Sequence, residues 1–365
     1  MKVLVIWRLL TVGGVNAGWR NRAIYFKQQG IFPEFLYTTD HGGRHIMDGV
    51  APVYLTKDEN KIVSIIRNGH YDAIIVVDTA DAYRWLEKAE FSGPVIVEAR
   101  TPEINKLIPH IKDFRSIRPA TIVVPSLYQK RLVSILTENI PIEVIHNGID
   151  TSFFRPIGGT DIDHNTPPNV AGDKKVIGWI GRIDRRKNWK LLLRIADLIK
   201  KERNDIQFWV IGGAQSVQRE KFAAQRIEKH LEDMVRWFPV IPYQEMPYMY
   251  AKIRETGGCT LATTRGESFG NTFIEAMACG VPVVAPKVTS LPELVVHRKT
   301  GRLFREGHTH EAIKHIYQII DMGQVKYEKM SHAAISQVRE RFAMECIAPR
   351  YIELLRTLVG EVKHP

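Results

Sequence analysis

Two doubly wound α/β domains are predicted by three observations: a length of 365 residues, an alternation of short β-rich apolar runs with helical patterns, and one Gly/Pro-rich stretch between two such series. The length exceeds one ordinary domain and fits two of ~150–200 residues each. Strand signals alternating with helix signals are the mark of βαβ units and parallel sheets. Residues 157–173 (IGGTDIDHNTPPNVAGD) hold five Gly or Pro in 17 positions and few side chains able to build a core, so they read as a linker. The expected organisation is a first domain over 1–155, a linker over 156–173 and a second domain over 174–344.

In the first half, strands are expected at Val3–Trp7, Phe35–Tyr37, Val53–Leu55, Ala73–Val77, Val95–Val97, Thr121–Val124 and Glu143–Ile145, each a short apolar run bounded by turn residues. Helices fill the gaps. Asp58 to Asn68 has a capping start, apolar Ile62, Val63, Ile65 and Ile66, and a stop at Gly69, where a left-handed turn is easy for glycine. The second half repeats the scheme with strands at Val176–Ile180, Ile206–Ile211, Val235–Phe238, Thr260–Ala262 and Pro282–Ala285. The last ~55 residues read as helical, from His310 through Lys326–Phe342 to Cys346–Val359.

Composition excludes several classes. Hydrophobic residues at 44% and charged residues at 25% are ordinary globular values. Three separated cysteines (Cys259, Cys279, Cys346) make no disulfide framework and no CxxC pair. No apolar run approaches the ~18 residues of a membrane span, and the opening MKVLVIW is interrupted by Arg8 too soon for a secretory signal, so a cytoplasmic protein is expected. The net charge is +11, with 19 basic and 16 acidic residues in 1–155 against 32 and 24 in the rest. The excess positive charge therefore sits in the second half, and a basic balance can mean nucleic acid, an anionic membrane or phosphorylated small molecules.

Ligands of open α/β sheets bind beyond the carboxyl ends of strands, so the segments after strands matter most. Gly13-Gly14-Val15-Asn16-Ala17-Gly18 follows the first strand and opens a helix that ends at Gly30; it is either a phosphate-compatible loop or a tight turn, and it is not GxGxxG. Gly181-Arg182-Ile183-Asp184-Arg185-Arg186-Lys187-Asn188 places Arg182 and Lys187 at one strand end, as a diphosphate site or an ordinary basic turn. Thr263 to Ala285 reads as loop, short helix, glycine stop and buried strand, with Glu267 in the loop and Glu275 in the helix. Thr272-Phe-Ile-Glu275 also fits a capping box, which would leave Glu275 a structural role.

Glu267 and Glu275, within ESFGNTFIEAMACGVPVVA, resemble the C-terminal signature of retaining glycosyltransferases of the GT-B architecture, family 4. GRIDRRKN resembles the family's Gly-Arg to Lys diphosphate clamp, VIHNGIDTSFFRP its segment entering the linker, and Gly13-Gly14 its N-terminal glycine loop. The resemblance implies a GT-B fold, two Rossmann-like domains facing a central cleft, with an acceptor-binding first domain and a donor-binding second one. It also implies that a C-terminal helix over about 345–365 packs back on the first domain.

For the site, the resemblance implies that Glu275 holds nucleotide ribose hydroxyls and Glu267 positions the donor sugar. Phe269, Gly270, Asn271 and Thr272 would lie beside the donor, and Arg182, Lys187 and Gly14 would neutralise the leaving diphosphate. Arg182, Lys187 and Glu267 are the catalytic candidates, with no cofactor and no metal; Asp161-Ile-Asp163 spells D-x-D but sits in the linker. The His that relatives place after an N-domain strand is absent from Val97-Glu98-Ala99-Arg100-Thr101-Pro102. Glu98, Arg100 and Thr101 are therefore either candidates for the acceptor pocket or, for Glu98, a salt-bridge partner. His110–Arg118 is a modest candidate for a basic membrane-facing surface, so the expected acceptor is soluble rather than lipid-linked, with at most peripheral membrane contact. The alternatives are an inactive sugar-nucleotide-binding protein and a nucleotide-sugar epimerase of the same fold.

Overall fold

The computed structural model describes residues 1–11, 14–158, 173–213 and 217–363. The chain forms two compact units, residues 1–149 with 342–365, and residues 150–341. In the first unit, strands β1 (Lys2–Thr11), β2 (Phe32–His41), β3 (Val53–Leu55), β4 (Ala73–Val77), β5 (Val95–Glu98), β6 (Thr121–Val124) and β7 (Ile142–Val144) form a sheet of order β3-β2-β1-β4-β5-β6-β7. In the second, β8 (Lys175–Ile180), β9 (Ile206–Ile211), β10 (Val235–Phe238), β11 (Cys259–Leu261), β12 (Val283–Pro286) and β13 (Gly301–Phe304) run in the order β10-β9-β8-β11-β12-β13. Every pairing between these strands is parallel. Strand order reverses between β1 and β4 and again between β8 and β11, which makes those two points the expected ligand crevices of their sheets.

Period-2 alternation builds the first core on both sheet faces. Val3 and Val5 of β1 join the cluster with Phe26, Phe35 and Tyr37, whereas Leu4 and Ile6 join the opposite cluster with Ile74, Tyr83 and Leu107. The helix Met344–Lys363 completes the first of these clusters through Ile347, Tyr351, Leu355 and Val359. Its Tyr351 ring lies edge-on to Trp19 at 5.8 Å. Chain entry and exit are tied side by side: Ile149 N–H donates to Phe342 O at 2.8 Å and Met344 N–H to Ile149 O at 2.9 Å.

The structure departs from these expectations at several points. The second unit begins at 150 and ends at 341, not at 174 and 344, because Phe154 is buried against Tyr243 and Tyr250 of that unit. Residues 159–172 of the expected linker, including Asp161 and Asp163, lie outside the described residues. Helix Glu59–Asn68 is capped by the Asp58 side chain as expected, yet Gly69 is right-handed and His70 (φ 48°) takes the left-handed position. Glycine is needed at 69 for space, since a Cβ there would lie 2.1 Å from the Tyr71 ring. Edge strand β13 escapes a reading by apolar runs because Arg302 interrupts it; its Gly301 is required, a Cβ there lying 2.3 Å from Val283 O.

His110 does not belong to a surface patch. It is buried, with Nε2 3.1 Å from Glu98 O and the Tyr83 hydroxyl 3.1 Å from Nδ1. Burial lowers its pKa to about 4. The unfolded chain, titrating near 6.5, then binds the extra proton first, so this contribution is complete above pH ~6.5 and is lost as pH falls toward 4. A shift of this size corresponds to roughly 3 kcal/mol across that window. Denaturant midpoints of wild type and His110→Gln should diverge in slope between pH 6.5 and 4; parallel slopes would remove His110 as the cause.

Candidate functional site

The loops after β8 and β11 meet at the switch point of the second sheet. Asp184 folds the first loop back by accepting from Lys187 N–H at 2.8 Å, and Asn188 takes a left-handed conformation (φ 55°) before the helix Trp189–Lys200. Gly181 (φ 152°) passes under Lys187, whose Cε would lie 3.2 Å from a Cβ. Thr263 locks this loop to the next: its hydroxyl donates to Lys187 O at 2.8 Å and accepts from the Trp179 indole at 2.9 Å. Arg265 N–H donates to Arg186 O at 2.8 Å. The result is that Lys187 Nζ reaches Glu267 Oε1 at 2.7 Å, in a pair that is nearly buried. A pocket beside it is lined by Lys187, Thr263, Thr264, Glu267, Thr272 and Phe273, among others.

Glu267 is held from several sides. Its N–H donates to Thr289 Oγ1 at 2.9 Å and its carbonyl accepts from Ser290 Oγ at 3.0 Å. Burial acts to raise its pKa, but the charges of Lys187 and Arg186, with hydrogen bonds from Lys187 and Thr264, outweigh it and hold the carboxyl below its ordinary value. Glu267 is therefore an anion at neutral pH. Arg186, not singled out by the sequence, stands 3.4 Å from its Oε2. Arg182 does not join this cluster: it is 69% exposed and pairs with Asp184 at 3.3 Å. No spacing signal separates Arg186 from Arg182; the left-handed turn at Asn188 and the bonds from Thr264 and Arg265 to Arg186 O decide which arginine points inward.

Glu275 lies on the short helix Asn271–Ala278, whose N-cap is Gly270 (φ 117°) without a side-chain cap. The capping-box reading of Thr272 and Glu275 is thus replaced: the helix starts before Thr272, and Glu275 Oε2 accepts from the buried Tyr250 hydroxyl at 3.1 Å. Glycine is required at 270, where a Cβ would strike the Phe273 ring at 2.4 Å. Burial pushes the Glu275 carboxyl up to about 7, against the Tyr250 hydrogen bond and the Lys187 charge. Two carboxylates that both feel the Lys187 charge are thus driven apart in acidity, Glu267 ionised and Glu275 near its midpoint at neutral pH. The Phe269 side chain is buried and its carbonyl accepts from Ser290 Oγ at 2.8 Å.

In the first unit, Gly14 opens the helix Gly14–Gln28, and Gly13 lies outside the described residues. Glu98 and Arg100 form an internal ion-pair network, which corrects their assignment to an acceptor pocket. Glu98 is fully buried and accepts from Trp19 Nε1 (3.1 Å), Arg22 (3.2 Å) and Arg100 (2.6 and 2.9 Å). Arg22 is sandwiched between Trp19 and Tyr351, 4.4 and 4.7 Å from the ring centroids. Arg100 also reaches Asn147 Oδ1, and its N–H donates to Asp78 Oδ1 at 2.9 Å. A carboxylate with this many donors has no capacity left for a substrate hydroxyl. Thr101 remains half-buried at the end of β5, its carbonyl accepting from Gln129 Nε2 at 2.7 Å. Among the described residues no three His, Cys, Asp or Glu side chains form a metal-binding cluster, and no helix is long and apolar enough to cross a membrane.

Comparison with known proteins bears on the family and the fold. Residues 162–340 match the family model of glycosyl transferases group 1. The D-inositol 3-phosphate glycosyltransferase of Segniliparus rotundus is 29% identical over 164 residues, covering 44% of this chain and 35% of that protein. The match thus spans about a third of that relative's length. Anabaena HepE in complex with UDP and glucose superposes with a TM-score of 0.83 at 19% identity, over 97% of this chain and 99% of HepE. The sucrose-phosphate synthase of Thermosynechococcus elongatus gives 0.78 at 17% identity, over 99% of both chains. At these identities the structural likeness is one of fold. The chain has the GT-B fold, and the stretch that matches the glycosyl transferases group 1 model covers just under half of it.

Proposed function

We propose that this protein is a retaining glycosyltransferase that moves a sugar from a nucleoside-diphosphate donor, with a UDP-sugar as first choice, to an acceptor hydroxyl without a metal. The observation that carries this reading is the nearly buried Lys187–Glu267 pair at the switch point of the donor-side sheet, with the Glu275 carboxyl within reach of the Lys187 charge. UDP enters as first choice because HepE, which shares the fold, binds it. In this reading Glu275 accepts the ribose hydroxyls, Glu267 orients the donor sugar, and Lys187 with Arg182 takes the negative charge that grows on the departing diphosphate. Preorganised donors aimed at developing charge supply much of such a rate enhancement. The acceptor oxygen bonds to the anomeric carbon on the face from which the diphosphate leaves, and the freed proton passes to a phosphate oxygen of the leaving group. Lys187 displaced from Glu267 toward a diphosphate would exchange one anion for another, which keeps the buried ammonium paired throughout.

A thermal-shift panel of UDP, GDP, ADP, dTDP and their sugar conjugates, with a chelator present, tests the reading. A ligand at ~100 times its dissociation constant adds ~2.7 kcal/mol and raises the melting temperature by several degrees. Glu275→Gln should abolish most of that shift while leaving the ligand-free melting temperature unchanged or higher, since it removes a buried carboxyl whose ionisation is disfavoured. A variant with normal nucleotide shifts would remove Glu275 from the site. A nucleotide shift without transfer to any acceptor hydroxyl would favour the inactive binding protein instead.

A further inference from the structure

Tyr250 stands outside every motif, yet its hydroxyl is the polar atom that meets the Glu275 carboxyl. It is fully buried on the helix Met246–Glu255 and has two acceptors within reach, Glu275 Oε2 at 3.1 Å and the backbone carbonyl of Thr272 at 3.3 Å. A phenol carries one proton and can also accept. When Glu275 is ionised, the Tyr250 proton points to Oε2; when Glu275 is neutral, the carboxyl can donate to Tyr250, whose proton turns to Thr272 O. Among the described residues no donor takes Oε1, which is left for a ligand. The tyrosine ring is itself fixed, lying edge-on to Phe154 at 6.2 Å in the first residues of the second unit, and Phe154 in turn packs on Tyr243.

We propose that Tyr250 is the positioning residue that presents Glu275 to a pair of ligand hydroxyls, holding its carboxylate form through Oε2 and accommodating its neutral form by turning to Thr272 O. The proposal rests on the reading of Glu275 as the ribose-binding group. It makes nucleotide affinity depend on pH, because the carboxylate accepts O–H donors more strongly than the neutral acid, which spends one oxygen as a donor. The other ionisable groups that face this pair do not titrate in the same window. Burial raises Cys279 and Tyr250 well above their ordinary values, and Lys187 with Arg186 keeps Glu267 ionised. Affinity should therefore rise with pH through the Glu275 midpoint, near 7 in the wild type.

Two measurements on the full chain separate the proposal from the reading beneath it. The first follows the Glu275 side-chain carboxyl by carbon NMR from pH 5 to 9 without ligand, assigned with Glu275→Gln. The second measures the dissociation constant of UDP by calorimetry over the same range. Tyr250→Phe keeps the ring and its packing and should raise the carboxyl midpoint by about one pH unit. UDP affinity at pH 7 should fall by roughly five- to ten-fold, the shift expected from that change, and return to the wild-type value near pH 9. A packing role alone would give a loss that pH does not rescue. An unmoved carboxyl midpoint in Tyr250→Phe overturns the proposal whatever UDP does. A moved midpoint with pH-independent UDP binding leaves the Tyr250–Glu275 link standing and removes Glu275 from ribose recognition.

Discussion

Lys187→Ala is expected to lower sugar transfer by about 10²- to 10³-fold, the usual cost of removing one preorganised donor to a developing anion. Stability should fall as well, because among the described residues Glu267 would keep only Arg186, at 3.4 Å, as a charged partner in a nearly buried position. Losing one member of such a pair leaves a buried charge and costs about 3–5 kcal/mol, whereas neutralising both is far milder. The double variant Lys187→Met with Glu267→Gln should therefore regain most of the melting temperature and none of the activity. If activity returned together with stability, Lys187 would be a structural lysine. Arg182→Ala supplies the contrast: its pair with Asp184 is exposed, and such pairs contribute little, so the melting temperature should hold. Any fall in turnover there is then a direct effect on the reaction.

Glu98→Ala should be the most destabilising single change in the first unit. It strips Arg22 and Arg100, both buried, of their shared carboxylate, and Trp19 Nε1 of its acceptor. The expected loss is about 3–5 kcal/mol, or on the order of 10 °C in melting temperature for a unit of this size. Arg22 spans Trp19 on one side and Tyr351 on the other, so the last helix should loosen first, seen as faster amide exchange around Tyr351 than around β4. Transfer activity assayed well below melting should be retained. A variant of normal melting temperature with impaired acceptor turnover would return Glu98 to the acceptor pocket and overturn the structural assignment.

Much of the architecture was legible because parallel strands buried on both faces are written as compact Val/Ile runs, such as Ala73–Val77 and Ile206–Ile211, whose observed bounds are the expected ones. The same logic explains the strand that was missed. β13 lies at a sheet edge, and Gly301-Arg302-Leu303-Phe304 has too few apolar residues to register. Lys187 could be singled out because the residues after β8 fall at the switch point whatever their side chains do, whereas Glu267 was singled out by the family resemblance. That Arg186 rather than Arg182 stands beside Glu267 was not legible, since four basic residues in one loop look alike until the backbone turns.

The sequence by itself determined the two parallel α/β layers, the order of their strands along the chain, and the loops that could hold an anion, because these follow from local periodicity and from glycine and charge at strand ends. Tertiary structure alone decided which charges are paired. Glu98 and Glu267 are both strand-end or loop carboxylates facing arginine or lysine, and no pattern in the chain separates them. One is sealed by Trp19, Arg22 and a helix from the far end of the chain, while the other lines a pocket beside Lys187. Burial and partner geometry, which depend on segments brought together from more than 70 residues apart, set which carboxylate holds the fold and which lines the pocket.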